Sequence, residues 1–97
     1  MEQIADFRTR LVSELTQADQ RQSTRKGHNP YALALYLQAA DNVMREIADG
    51  QSPDFAFREY FTPSREMHKV ARNLNLGLDV DRGQWIYTDT CAAIKSA

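Results

Sequence analysis

The side chains able to act as nucleophiles, general bases or soft-metal ligands are few and lie far apart in the sequence. The chain contains two histidines, His28 and His68, and a single cysteine, Cys91. Nucleophilic catalysis by cysteine requires a base in contact with the thiol, whereas a lone cysteine near a chain end is more often a small apolar filler. Soft-metal sites require several cysteine or histidine ligands at fixed spacings. The sequence therefore predicts neither a catalytic pair nor a metal site from these residues.

The acidic residues also lack a pattern that predicts chemistry. The segment DVDRG at residues 79–83 begins like a calcium-binding loop. It lacks the third acidic residue before the glycine and the later glutamate that complete such a loop. No two carboxylates stand out as an acid–base couple. We therefore expect a protein that is not an enzyme and that holds no cofactor.

The clearest charged pattern lies on a helix predicted at residues 63–74. Arg65, Lys69 and Arg72 recur at spacings of four and three residues, which places them on one helical face. The opposite face carries the apolar residues Met67, Val70, Ala71 and Leu74. A DNA-recognition helix presents its polar face to the groove and its apolar face to the core. These basic residues are therefore candidate contacts for nucleic acid or for an acidic partner.

A complete helix-turn-helix motif is not predicted around this basic face. Ala71 fits the small residue of a first helix, and Asn75 fits the turn. The second helix should then carry an apolar residue at the position that Asp81 occupies, and the surrounding GLDVDRG is a poor helix former. The DNA-binding interpretation therefore depends on the basic face alone.

Arg25 and Lys26 are further basic candidates, in a segment that ends one helix and begins the next. Cations favour a helix C-terminus, and Gly27 supplies the left-handed residue that often follows one. Asn29 is a favoured N-cap, and Pro30 suits the first helical position. The segment is thus interpreted as the connection of an αα-hairpin, which accounts for every residue except the histidine. A phosphate contact at the start of the second helix is the alternative, although no glycine-rich phosphate-binding motif is present.

Aromatic residues are the main candidates for binding a partner. Phe55, Phe57, Tyr60 and Phe61 crowd into one short predicted helix, and Trp85 follows near the C-terminus. So short a helix cannot easily bury two faces in a small domain. Either a second layer that includes Trp85 covers the remaining aromatic side chains, or a patch of them faces outward. Aromatic residues are enriched where partners anchor, so an outward patch would be a binding site.

Length and composition predict a single domain over residues 1–97. The 97-residue chain fits one core, and its 42% hydrophobic and 26% charged residues are ordinary for a soluble globular protein. A formal net charge of −1 provides no overall attraction to nucleic acid or to an anionic membrane. We expect no signal peptide and no membrane span, and with one cysteine these features predict a cytoplasmic protein.

Hydrophobic periodicity predicts a mainly α fold, a small helical bundle of about four helices with a short C-terminal β-hairpin. The first helix ends in polar turns at residues 19–24 that are expected to be exposed or frayed. The second, at residues 30–49, is expected to be central and packed on more than one side. Its predicted inner stripe is Leu33, Leu37, Ala40, Met44 and Ile47, widened by Tyr36 and Val43. A single irregular helix over residues 80–95, with Tyr87, Cys91 and Ile94 inward, is the alternative to the hairpin.

The segment NPYALALYL at residues 29–37, within NPYALALYLQAADNV and followed by an aromatic run, resembles small proteins encoded by bacteriophages and prophages. The resemblance implies a context and carries over no functional residue. Small cytosolic phage proteins without catalytic groups often bind a host protein complex and divert or block it, anti-defence inhibitors being one example. The resemblance therefore implies a bacterial host protein or complex as the partner.

Two hypotheses of function follow. The first is a non-catalytic interaction protein, phage-encoded, that modulates or inhibits a bacterial host complex through the aromatic candidates. The second is a small DNA-binding regulator that uses the basic face at residues 63–74. A homodimer, in which exposed apolar residues of the second helix pair with their copies, is compatible with both.

Overall fold

The computed structural model describes residues 4–88 of the chain. These residues form four α-helices followed by an antiparallel two-stranded hairpin, which confirms the predicted mainly α fold class. In chain order the elements are α1 (Ile4–Gln22), α2 (Ala32–Ala48), α3 (Pro53–Tyr60), α4 (Arg65–Asn73), β1 (Leu78–Asp81) and β2 (Gln84–Tyr87). Helix α1 packs against α2 and α4, α2 packs against α3, and β1 lies against α4.

One hydrophobic cluster is shared by the four helices and the hairpin. Helix α1 contributes a stripe of Phe7, Leu11, Leu15 and Ala18 at the spacing of one helical face. Ile4 belongs to the same face but is exposed. The buried part of α1 therefore begins one turn later than its apolar periodicity predicts.

Helix α2 begins two residues later than expected. The Asn29 Oδ1 atom accepts a hydrogen bond from the Tyr31 backbone N–H at 2.9 Å, and the Asn29 carbonyl accepts one from Ala32 at 3.1 Å. Asn29 thus forms a local turn on its own backbone instead of acting as the N-cap, which falls at Tyr31 with no side-chain hydrogen bond. Gly27 has a φ of 82°, the left-handed conformation expected of it, but α1 already ends at Gln22, so Gly27 lies within the connection and does not end the helix.

The buried face of α2 is centred on Ala40 and Val43. Leu33 and Leu37, which the stripe predicts to be buried, are only half-buried, and Leu35 is 56% exposed. Helix α2 packs against two elements, α1 and α3, as its broad apolar surface predicts, but Tyr31 at its N-cap and Ala34, Leu35 and Gln38 in its N-terminal half remain exposed.

The two short helices begin at serine caps. Ser52 Oγ accepts a hydrogen bond from the Phe55 N–H at 3.2 Å, as its position before Pro53 predicts. Ser64 Oγ accepts one from the Met67 N–H at 3.1 Å. Helix α4 therefore begins after Ser64, at residue 65, rather than at the proline of the predicted range 63–74.

The predicted β-hairpin is present, and the alternative helix over residues 80–95 is wrong for its described part. Arg82 and Gly83 both have positive φ, at 54° and 75°, which is the two-residue turn that suits a twisted hairpin. Asp81 pairs with Gln84 across that turn. A lone hairpin is marginally stable, and here Leu78 and Trp85 belong to the hydrophobic cluster. The expectations for Cys91 and Ile94 lie outside the described residues.

Candidate functional site

Three of the five aromatic residues proposed to bind a partner lie in the core. Phe57, Phe61 and Trp85 are buried. The rings of Phe57 and Phe61 stack with centroids 4.6 Å apart, and the Trp85 ring meets Phe57 edge-on at 5.7 Å. The Trp85 indole N–H donates to the Phe61 carbonyl at 2.6 Å. Trp85 is therefore the covering layer, and an outward patch of all five residues is not present.

The remaining two candidates lie at the surface of α3. Phe55 is half-buried, and Tyr60 is 40% exposed. Tyr60 stands at the last turn of α3, beside the N-terminal half of α2 that is open to solvent. It is the aromatic candidate that retains the exposure needed to anchor a partner.

An apolar groove of about 220 Å³, here called the α2 groove, runs between α2 and the α3–α4 connection. Leu35, Tyr36 and Ala39 line it from α2, and Tyr60, Phe61, Thr62, Ser64 and Met67 line it from the other side. Sequence periodicity did not predict this groove, because it identifies the apolar face of each helix but not the space left between α2 and the α3–α4 connection. The exposed Tyr31, one turn before Leu35, extends the apolar surface along the helix.

Tyr36 holds one wall of the α2 groove in place. Its hydroxyl accepts a hydrogen bond from Gln22 Nε2 at 3.0 Å, which ties it to the last turn of α1. Its ring lies 6.4 Å from that of Phe61, measured between centroids. The hydrogen bond holds the Tyr36 hydroxyl and the contact with Phe61 holds its ring. This wall of the groove is therefore already formed in the unbound protein.

A second cavity, here called the basic cavity, adjoins the groove on the other side of Tyr36. It has a volume of about 320 Å³ and is formed by the end of α1, the α1–α2 connection and the start of α2. Its lining comprises Gln22, Arg25, Lys26, Gly27, His28, Asn29, Ala32 and Tyr36. His28, which the interpretation of the connection left unexplained, places Nε2 at 3.4 Å from Asp19 Oδ1 and so ties the connection back to α1.

Three cations from two distant segments converge on one buried carboxylate beside this cavity. Arg21 Nε donates to Glu66 Oε2 at 2.8 Å, and Glu66 Oε1 lies 3.6 Å from Arg25 and 3.7 Å from Lys69. These four residues are called the Glu66 cluster. The Glu66 side chain is 5% exposed. Arg21 therefore ties the last turn of α1 to α4, while Gln20, Ser23 and Thr24 are exposed, as expected for this polar end.

Burial acts to raise the pKa of Glu66, but its surroundings reverse the direction. The hydrogen bond from Arg21 and the charges of Arg21, Lys69 and Arg25 together hold the pKa of Glu66 below its ordinary value. The carboxylate is thus ionised at neutral pH despite its burial. Sequence reasoning did not single out Glu66. Its spacing of four from Val70 places it on the apolar face of α4, and that was the available signal.

The basic residues of the DNA-binding hypothesis are exposed, and they have different neighbours. Lys69 and Arg25 meet at Glu66 Oε1. Arg65 is exposed in the first turn of α4. Arg72 lines a different cleft, of about 390 Å³, between α4 and the hairpin.

That cleft contains a histidine paired with a carboxylate. His68 Nε2 lies 2.9 Å from Asp79 Oδ1, an arrangement that can orient an imidazole. The described part of the cleft offers Thr88 as its hydroxyl residue, and Cys91 falls outside the described residues. Within residues 4–88, no group of three or more His, Cys, Asp or Glu side chains is arranged to hold a metal ion.

Acidic residues lie near the opposite end of the α2 groove. A hydrogen bond with the Glu46 side chain raises the pKa of Glu59, with burial and the charge of Glu46 acting in the same direction. A hydrogen bond with Glu46 also raises the pKa of Tyr60. Because Glu46 lies ten residues after Tyr36 on α2, the two ends of the groove differ in charge, basic at the start of the helix and acidic towards its end.

Comparison with protein families, curated proteins and solved structures finds no match to this chain. None of the helices found in residues 4–88 has both the length and the apolar character required to cross a bilayer.

Proposed function

We propose that this chain is a non-catalytic interaction protein that binds a bacterial host protein or complex through the α2 groove and thereby modulates or inhibits it. The observation that carries the proposal is the exposure of large apolar side chains along one side of the molecule. Tyr31, Leu35 and Tyr60 are 72%, 56% and 40% exposed, and Leu35 and Tyr60 border the same groove. Apolar surface gathered in this way marks an interaction site.

The groove also has the features of an anchoring pocket. Its floor contains Phe61 and Met67, both buried, and its rim contains exposed Tyr60. A partner side chain inserted here would be desolvated against a formed wall at Tyr36, which is the arrangement in which interface residues contribute most to affinity. The resemblance of NPYALALYL to phage and prophage proteins supports the bacterial host context of the proposal, and with it the host cytoplasm as the place of action.

The proposal is tested by affinity capture from bacterial lysate with three forms of the tagged protein. These are the parent, Leu35→Glu in the groove, and Ile86→Glu on the hairpin. Ile86 is a matched control because it is an exposed apolar residue, at 43%, outside the groove lining. Captured proteins are identified by mass spectrometry, and the binding of the purified candidate is then measured for all three forms.

The expected result is one protein or complex that the parent and Ile86→Glu retain and that Leu35→Glu loses. Equal capture by all three forms would contradict the groove as the binding site. Unchanged far-ultraviolet circular dichroism is required for each variant, and it is expected because both substituted side chains are at the surface.

A nucleic-acid-binding regulator is the second candidate, and one observation favours it. Arg25 and Lys69, which lie far apart in the sequence, approach the same oxygen of Glu66 and form a basic surface that neither segment has alone. Binding through phosphate contacts would fall steeply with salt. A variant with Arg65, Lys69 and Arg72 all changed to Glu that binds DNA as tightly as the parent, in a salt titration, would exclude this function.

A further inference from the structure

The geometry points to a partner that docks with an acidic segment, placing an apolar side chain in the α2 groove and neighbouring carboxylates in the basic cavity. This inference rests on the proposed function and adds the chemistry of the partner. The partner is a protein segment in which an apolar anchor residue and two or more acidic residues lie close together in sequence.

The α2 groove and the basic cavity are continuous at Tyr36. Tyr36 lines both of them, so they lie on either side of one residue. A short extended peptide advances about 3.3 Å per residue, so a segment of a few residues is long enough to reach from one cavity into the next. A partner seated in the groove near Tyr36 therefore meets Arg25 and Lys26 without a second, separate contact region.

Positive charge is in excess at and beside the basic cavity. Arg25 and Lys26 line the cavity, and Arg21 and Lys69 join Arg25 around the single carboxylate of Glu66. Asp19, whose Oδ1 lies 3.4 Å from His28 Nε2, is a second carboxylate in this region. The four cations and two carboxylates therefore leave an excess of two positive charges.

Two of these cations have donor groups to spare. Arg21 makes the direct hydrogen bond to Glu66 at 2.8 Å, whereas Arg25 and Lys69 stand at 3.6 and 3.7 Å and their side chains are 59% and 51% exposed. A guanidinium carries five N–H donors and an ammonium group three. Arg25 and Lys69 can therefore bind an incoming carboxylate while they remain beside Glu66 and continue to offset its buried charge.

An acidic peptide fits these observations better than a nucleic acid does. The groove next to the cations is apolar, with Leu35, Ala39 and Met67 among its lining residues, so these residues suit an aliphatic side chain and offer no hydrogen-bond partner to the polar edge of a nucleobase. The whole chain has a net charge of −1, which gives no long-range attraction for a polyanion. A short acidic segment requires only the local positive charge that the basic cavity provides.

The test is selection from a displayed library of random dodecapeptides on the immobilised full-length protein. It uses the parent, Leu35→Glu, the double variant Arg25→Ser with Lys26→Ser, and a control double variant, Arg72→Ser with Arg82→Asn. The control removes the same number of cations from positions outside both cavities, and asparagine tolerates the positive φ of residue 82. Selected peptides are then resynthesised, and their affinities are measured by fluorescence anisotropy beside a labelled single-stranded oligonucleotide.

The parent and the control are expected to select peptides that combine an apolar anchor with two or more acidic residues. Loss of Arg25 and Lys26 should weaken those peptides by roughly three- to tenfold, the range expected for one or two exposed ion pairs. Leu35→Glu should abolish the selection.

The results that would contradict the acidic segment differ from those that would contradict the groove as a binding site. Apolar peptides that are selected without acidic residues, or acidic peptides that bind the Arg25 and Lys26 variant equally well, would overturn the acidic segment and leave the groove intact. The absence of any selection that depends on Leu35 would count against both. Tight oligonucleotide binding that is lost with Arg25 and Lys26, with no peptide selected, would overturn the inference in favour of nucleic acid.

Discussion

Arg21 Nε and Glu66 Oε2 are 2.8 Å apart and join the last turn of α1 to the first turn of α4 across 45 positions of sequence. The Glu66 side chain is 5% exposed, and the Arg21 side chain is 33% exposed. A buried carboxylate in this position is stable only because cations surround it. The pair thus explains why an otherwise polar segment at the end of α1 remains helical.

Replacing Glu66 with Ala is expected to destabilise the protein by about 1–3 kcal/mol, because Arg21 loses its charged acceptor and the contact between α1 and α4 is weakened. Water can reach the partly exposed Arg21, which keeps the loss below that of a fully buried pair. Urea denaturation followed by circular dichroism measures the change. Glu14→Ala is the matched control, since Glu14 accepts an exposed hydrogen bond from Asn73 between the same two helices at 2.9 Å. An equal loss in both variants would contradict a special role for Glu66.

Acidification should remove the contribution of Glu66. Its pKa is lowered in the folded protein, so the ionised form stabilises the fold, and the contribution is complete above its ordinary value of 4.5. That contribution is lost progressively as the pH falls below this value and through the lowered pKa. Thermal melts between pH 7 and pH 3 should therefore show a steeper loss for the parent than for Glu66→Gln. Parallel curves would show that other carboxylates govern the acid response.

Phe57 and Tyr60 stand three residues apart on α3 and should respond very differently to truncation. Phe57 is fully buried against Phe61 and Trp85, so Phe57→Ala is expected to cost about 3–5 kcal/mol. Tyr60→Ala removes a side chain that is 40% exposed together with its hydrogen bond to Glu46, so the loss should be smaller, about 0.5–1.5 kcal/mol. Unfolding midpoints in urea separate the two outcomes. Equal stability of Phe57→Ala and Tyr60→Ala would contradict the burial of Phe57 against Trp85 of the hairpin.

Glu59→Gln should stabilise the protein at neutral pH. The pKa of Glu59 is raised in the folded state, chiefly by the hydrogen bond with Glu46, so the fold favours a neutral side chain at this position. In the parent, the stabilisation that comes from neutral Glu59 is present below pH 4.5 and is lost as the pH rises through the raised pKa of Glu59. The melting temperature of Glu59→Gln should exceed that of the parent at pH 7.5 and equal it at pH 4. Glu14→Gln, whose carboxylate faces an amide donor, should show no such gain.

Most of the secondary structure could be predicted from the sequence because the signals are local. Ser52 before Pro53 predicts the start of α3, and Arg82 with Gly83 forms the turn that their position between alternating apolar residues indicates. Gly27 adopts the positive φ that its residue type predicts, although α1 ends five residues earlier, at Gln22. In each case a few neighbouring residues fix the backbone, so no distant contact is needed to decide the conformation.

The candidate site could be predicted only in part. Arg25, Lys69 and Tyr60 were identified as candidate contacts from residue type and spacing, and all three are exposed in the structure. Their grouping was not predictable, since it depends on the approach of α4 to the end of α1. Glu66, the residue that gathers the cations, was missed because an acidic residue among basic ones is normally solvated.

The sequence by itself determined where the helices, caps and hairpin turn form, and which side chains are apolar, charged or aromatic. Tertiary structure alone decided which apolar surfaces are covered. Trp85 packs against Phe57 and donates a hydrogen bond to the Phe61 carbonyl, so these aromatic residues are part of the core. Leu35, which lies beside the predicted stripe of α2, remains 56% exposed among the described residues. The physical reason is that apolar periodicity specifies a face that favours burial, while the positions of α1, α3 and the hairpin determine how much of that face is removed from water.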